Sequence, residues 1–180
     1  MELHDLYDEQ GRLLGKTCEH GITPQSGEFL QAVGVWVVNS SQEILLTRRS
    51  PEKRFAPNLW ENTGGHVKAG ESLKEAAARE LFEETGLTAR PEELMLVGET
   101  VSPPYLCHDY MLYRDAELAE IRLQPGETCD VAWVSGTRFD QMIATGELAP
   151  STAAHLAPYR QNFDRLLHEA GPARRAGCAR

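Results

Sequence analysis

Between Gly64 and Leu87 the chain reads G-G-H-V-K-A-G-E-S-L-K-E-A-A-A-R-E-L-F-E-E-T-G-L. Glu80, Glu83 and Glu84 fall within one and a half helical turns, where like charges at such spacing repel and destabilise an isolated helix. Carboxylates at i, i+3 and i+4 are what a hard cation such as Mg²⁺ or Mn²⁺ takes as oxygen ligands. A bound ion of that kind supplies the missing positive charge and makes the cluster tolerable. The chemistry such an ion serves best is attack on an anionic phosphoryl group, because it neutralises the oxygens and lowers the pKa of a bound water. Charge on a helix can also be no more than a solvated face, with Glu75 and Arg79 as an ordinary i, i+4 pair.

The elements that position these acids follow from local signals. Ser72 with Glu75 makes an S-x-x-E capping box, so a helix starts at Ser72, and Gly86 supplies a left-handed stop. On a 100° wheel, Leu73, Ala77, Ala78, Leu81 and Phe82 fill one apolar arc expected to pack on a sheet. The acids fill a separate arc. Upstream, two short strands flank the turn Asp8–Gly11, and the β-rich runs Ala32–Val38 and Ile44–Thr47 are separated by the turn Asn39–Gln42. Leu59–Thr63 reads as a short strand leading into a glycine turn. Downstream, Glu93–Thr100, Tyr105–Tyr113 and Asp130–Val134 read as strands, and the chain from Thr137 to about Ala170 carries helical spacing broken at Pro150 and Pro158. The expectation is an α/β protein with a mixed β-sheet sandwiched between helices. Residues 1–171 are expected as a single domain and residues 172–180 as a flexible tail.

Gly65, five residues, Glu71, seven residues and then Arg79-Glu80-Leu81-Phe82-Glu83-Glu84-Thr85-Gly86-Leu87 fit the pattern G-x5-E-x7-R-E-U-x-E-E-x-G-U at all nine specified positions. At average residue usage that coincidence is expected on the order of once in a billion starting points. The sequence resembles the Nudix hydrolase family through this box. The resemblance implies an α/β/α sandwich, one to three divalent cations, and hydrolysis of a nucleoside diphosphate derivative or related small diphosphate by water attack on the pyrophosphate. It also implies that Glu83 and Glu84 are metal ligands and that Glu80 is a ligand or orients the attacking water. The Gly64 carbonyl completes the shell, and an Arg79–Glu71 pair fixes the loop on the helix. Gly65 and Gly86 are structural. Family members often recruit a further acid from a late loop, for which Glu127 is the first candidate, ahead of Asp130 and Asp109, as base or ligand.

Arg48, Arg49, Lys53 and Arg54 form the dense basic stretch ahead of the box, suited to gripping phosphate oxygens. Phe55, Trp60 and Tyr105 are aromatic enough to stack a base, although such residues are more often core. The stretch from Leu45 to Ser72 is also similar to isopentenyl-diphosphate isomerases, which use a modified Nudix fold with a cysteine in a C-G-H turn. Gly64 stands in that cysteine's place, which removes the isomerase acid/base. By the same resemblance His66 and His20 match metal-binding histidines, a further histidine falls near Leu30, Asp109 replaces the catalytic glutamate, and Arg49 and Lys53 grip a diphosphate. A noncatalytic nucleotide sensor is the third class, disfavoured because every box acid is kept.

A net charge of −9 argues against a nucleic-acid polymer as partner. No run approaches the ~18 apolar residues of a membrane span. The N-terminal segment shows no signal-peptide pattern, and the four cysteines lack C-x-x-C spacing. A cytoplasmic enzyme with a small-molecule diphosphate substrate is expected, with a homodimer open because the family frequently dimerises.

Overall fold

The computed structural model describes residues 2–170, so the expected tail at 172–180 lies outside the described residues. Among the described residues, nine strands and four α-helices run in the order β1 (Leu3–Tyr7), β2 (Leu13–Glu19), β3 (Leu30–Val38), β4 (Glu43–Arg49), β5 (Trp60–Glu61), β6 (Thr63–His66), α1 (Leu73–Thr85), β7 (Met95–Ser102), β8 (Tyr105–Tyr113), β9 (Thr128–Ser135), α2 (Gly136–Thr145), α3 (Pro150–Leu156) and α4 (Arg160–Glu169). Strands β1 and β2 form a separate antiparallel hairpin, and the other seven build one mixed sheet.

Strand β3 lies at the centre and pairs in parallel with β8 along its whole length, from Leu30↔Tyr105 to Val38↔Tyr113. Its other edge is shared. The recorded β3–β4 pairing is Val37↔Leu45 and Val38↔Ile44, while Ala32–Val35 pair with β6. Strand β5 pairs with β4 through Thr47↔Glu61 and Arg48↔Trp60. The segment Trp60–His66 thus fills a fork between β3 and β4 and places its residues against both.

Period-2 alternation sends β3 side chains to opposite faces. Val33, Val35 and Val37 pack with Ala76, Ala77 and Leu81 of α1, whereas Trp36 and Val38 pack with Phe139, Phe163, Leu166 and Leu167 of α2 and α4. Trp36 meets Phe139 and Phe163 edge-on at centroid distances of 5.6 and 5.0 Å, a geometry that adds to simple burial. Helices cover both faces of the sheet, as the sandwich expectation required. Among the described residues no helix is long and apolar enough to cross a membrane.

Three local readings are corrected. Gly64 and Gly65 are not in a turn but inside β6, paired with Gly34 and Val33. Phe82 is 55% exposed rather than packed, and the buried face of α1 is Ala76, Ala77, Leu81, Glu84 and Thr85. The helix is rolled so that two acids, not an aromatic ring, turn towards β6. Pro150 does not interrupt a helix but opens α3, where a missing N–H costs nothing.

Candidate active site

Helix α1 is fixed at both ends as its sequence requires. Ser72 accepts from the Glu75 backbone N–H, Glu75 reaches back to the Ser72 N–H, and Gly86 stops the helix at φ 74°. Glu75 is thereby used in the cap, and the expected pair with Arg79 is not among its bonds. Arg79 instead donates to Glu71 at 2.9 and 2.8 Å, to Glu80 at 2.8 Å, to the His66 carbonyl at 3.0 Å and to Glu83 at 3.4 Å. One guanidinium therefore ties the loop acid, two helix acids and the end of β6 together. Its pKa is raised by Glu71 first and by Glu80. Glu71, though partly desolvated, is held below the usual carboxylate range by Arg79.

Glu80 lies under Gly65, where a Cβ would overlap its carboxylate. Glu84 is 8% exposed and accepts from the Gly64 N–H at 3.3 Å. A Cβ at Gly64 would overlap the Val33 carbonyl of the neighbouring strand. Both glycines are needed because β6 presses backbone-first onto β3 on one side and the helix acids on the other. Burial pushes the Glu84 carboxyl well above its ordinary range, and Glu61 and Glu80 add to the shift. Burial also raises Glu80. Glu83 is more open, its side chain 37% exposed, and lies 3.8 Å from Lys68.

Glu61 was not marked by any sequence motif. It sits in the fork, two bonds of 2.8 and 2.6 Å from Arg49, and burial raises its pKa against the pull of Arg49. Its field reaches Glu84, while Lys53 and Glu127 act on Glu61. Glu127 is ion-paired with Lys53. Five acids, Glu61, Glu80, Glu83, Glu84 and Glu127, and two cations, Arg49 and Lys53, thus share one neighbourhood, although they come from β4, β5, α1 and two loops. The only sequence clue to Glu61 was its place two residues before Thr63 in the run entering the glycines.

The other candidates are placed as follows. Arg49 and Lys53 are engaged by Glu61 and Glu127, and Arg49 also donates to the Phe55 carbonyl at 3.0 Å. Arg48 donates to the Asn58 carbonyl at 2.9 Å and lies 6.0 Å over the Trp60 ring, which turns it towards its own loop. Phe55 is 71% exposed beside Arg54. Asp130 is exposed and caps the Val131 N–H. Asp109 is buried, accepting from the Tyr159 hydroxyl and, at 3.3 Å, from Asn62. A cleft beside the acids is lined by Glu61, Asn62, Gly64, Asp109, Thr152 and His155.

His66 and His20 come together with His4, a residue the sequence reading did not single out, and burial with the two neighbouring rings pushes His66 down to about 4. Leu30, where the isomerase resemblance places a further histidine, is core at 4% exposure. Among the described residues, this histidine trio is the set of three metal-type ligands whose donor atoms lie within 4.8 Å of one another. The donor oxygens of the box acids do not come within that distance of one another as a set of three.

The NUDIX domain model matches residues 28–155. The chain belongs to the NUDIX domain family. It is 38% identical over 120 residues to the m7GpppN-mRNA hydrolase NUDT17 of Danio rerio, covering 57% of this chain and 40% of that protein. It therefore spans about two fifths of that relative's length. It is 30% identical over 159 residues to the isopentenyl-diphosphate Delta-isomerase of Saccharopolyspora erythraea, covering 83% and 81% of the two chains. The crystal structure of DR0079 from Deinococcus radiodurans superposes with a TM-score of 0.69 at 24% identity over 82% of this chain and 92% of that one, a likeness of fold.

Proposed function

We propose that this NUDIX domain is a divalent-cation-dependent hydrolase that cleaves the pyrophosphate linkage of a nucleoside diphosphate derivative or related small diphosphate. The observation that carries the reading is the burial of Glu84 beneath Gly64 and the partial burial of Glu80 beneath Gly65. Buried carboxylates without a full complement of cations are costly, and their all-oxygen donor set fits Mg²⁺ or Mn²⁺. Glu83, Glu84, Glu80 and the Gly64 carbonyl would hold the ion, with Glu61 close enough to contribute negative charge. A bound ion would neutralise the diphosphate and lower the pKa of an attacking water. Arg49 and Lys53 would grip phosphate oxygens, with Arg48 at the rim. In that exchange Lys53 turns from Glu127 to phosphate, which frees the Glu127 carboxylate to accept a proton.

The isomerase reading is favoured by the relative of that name, yet the site lacks its chemistry. Position 64 has no side chain and no room for one, and Asp109 is bonded to Tyr159 and Asn62. The deciding experiment measures phosphate or nucleoside monophosphate released from nucleoside diphosphate sugars, dinucleotides, m7GpppN caps, coenzyme A and free nucleoside diphosphates with Mg²⁺. Glu83→Gln should lose most of the activity, roughly a hundredfold or more as for loss of a key electrostatic or acid–base group. Equal turnover by both proteins would remove the proposed metal site. Solvent deuterium entering isopentenyl diphosphate would establish the isomerase instead.

A further inference from the structure

Two buried hydroxyls beside the acids have no partner. Thr47 is 1% exposed and Thr128 is 6% exposed, and neither Oγ1 makes a hydrogen bond among the described residues. A buried polar group left unpaired costs free energy, so each one needs a reason to be kept. Both flank a single ion pair. Thr47 stands directly across from Glu61 in the β4–β5 ladder, and Thr128 stands across from Arg49 in the β4–β9 ladder. Directly opposed residues of an antiparallel pair share a face, with Cβ atoms about 4.5–5.5 Å apart. The Thr47 hydroxyl is therefore a near neighbour of the Glu61 side chain. On its other side Thr47 faces Val131, whose side chain offers no acceptor.

The Glu61 side chain is 16% exposed and takes bonds of 2.8 and 2.6 Å from Arg49 Nη1, while Arg49 Nε is held by the Phe55 carbonyl. A two-pronged hold on phosphate uses two neighbouring guanidinium nitrogens, so it must draw on one of these two. Resting on the diphosphate site proposed above, we infer that Thr47 is a positioning residue for Glu61. When Arg49 Nη1 turns from Glu61 to a phosphate oxygen, the Thr47 hydroxyl becomes the donor that keeps the carboxylate paired beside the cleft. The bond unused in the ligand-free chain is thus kept for the bound state. A buried carboxylate that loses its cation with no substitute donor is costly, and that cost would be taken from the affinity for diphosphate. Valine would fill the same strand position as well as threonine does, and it would supply no such bond.

The test uses the full chain with Mg²⁺ and methylene diphosphonate, an uncleavable pyrophosphate, titrated by calorimetry, and thermal unfolding of the same proteins without ligand. Thr47→Val removes the hydroxyl and keeps the branched shape, whereas Thr47→Ser keeps the hydroxyl and removes a methyl. Thr47→Val should match or exceed the wild-type melting temperature, because the hydroxyl it loses is unpaired, yet bind the diphosphonate roughly tenfold more weakly. Thr47→Ser should melt lower through the lost buried methyl and bind as wild type does. In a Glu61→Ala background Thr47→Val should have no further effect on binding, since the two side chains act as one unit. A lower melting temperature for Thr47→Val would show the hydroxyl already bonded in the free protein, through a buried water, and would overturn the inference. Unchanged affinity in Thr47→Val, or losses that add in the double variant, would overturn it as well. A wild type that binds no diphosphonate would remove the diphosphate site and this inference with it. Binding as expected with no hydrolysis of any diphosphate would remove the hydrolase reading and leave the role of Thr47 standing.

Discussion

Arg79 shows how one side chain can set a site. Its bonds to Glu71, Glu80 and Glu83 hold acids that would otherwise repel, so Arg79→Ala should cost about 1–3 kcal/mol by leaving partly buried carboxylates unpaired. Urea denaturation checks that figure. Gly65→Ala should keep the fold recognisable by circular dichroism but displace Glu80, with a large fall in any metal-dependent hydrolysis. Asp109 gives a pH prediction. Burial raises its pKa, opposed by the Tyr159 bond and by His155, Asn62 and His108. The folded state therefore keeps its proton to higher pH than the unfolded chain. Its contribution is present below the ordinary value of 3.8 and is lost as pH rises through the raised folded value. Asp109→Asn should flatten that part of the stability curve, measured as the wild-type minus variant difference from pH 3.5 to 7. The box residues were legible because they lie on one helix and the loop before it, where spacing alone fixes neighbours. Glu61 and His4 were not, because strand pairing brings them in from afar.

At the scale of elements, α1 was readable because its stop and start signals are local. Ser72→Ala should cost about 1 kcal/mol through loss of the cap. Leu81, fully buried against β3, should cost about 2–5 kcal/mol on truncation to Ala. Thermal or urea unfolding would rank the two. What misled the reading was glycine. Gly64 and Gly65 look like turn punctuation, yet here they mark backbone approach inside a strand, a distinction visible only once Val33 and Glu80 are known to be their neighbours. The roll of α1 was hidden for a related reason, since a wheel gives an apolar arc its width but not its aim. Phe82 and Glu84 exchanged the expected places because β6 offers Glu84 a backbone donor.

At the scale of the molecule, the layer order followed from the alternation of strand and helix signals, while the fork between β3 and β4 did not, because splaying leaves no trace in periodicity. If a cation occupies the acids, it should stabilise the whole fold by mass action. An ion at ten times its dissociation constant adds about 1.4 kcal/mol, and a Glu83→Gln, Glu84→Gln variant should show no such rise in melting temperature with Mg²⁺. The fork has one more consequence. Trp60 takes a hydrogen bond from the Ala149 N–H and gives one to the Glu147 carbonyl, so β5 is stitched to the segment that runs straight into α3. Thr152 and His155 of α3 line the cleft at one end of this strut, and Glu61 sits beside Trp60 at the other. A guest wide enough to tilt α3 would therefore also re-aim an acid of the proposed reaction centre, so that girth in the cleft and electrostatics at the proposed phosphate site would be geared to each other.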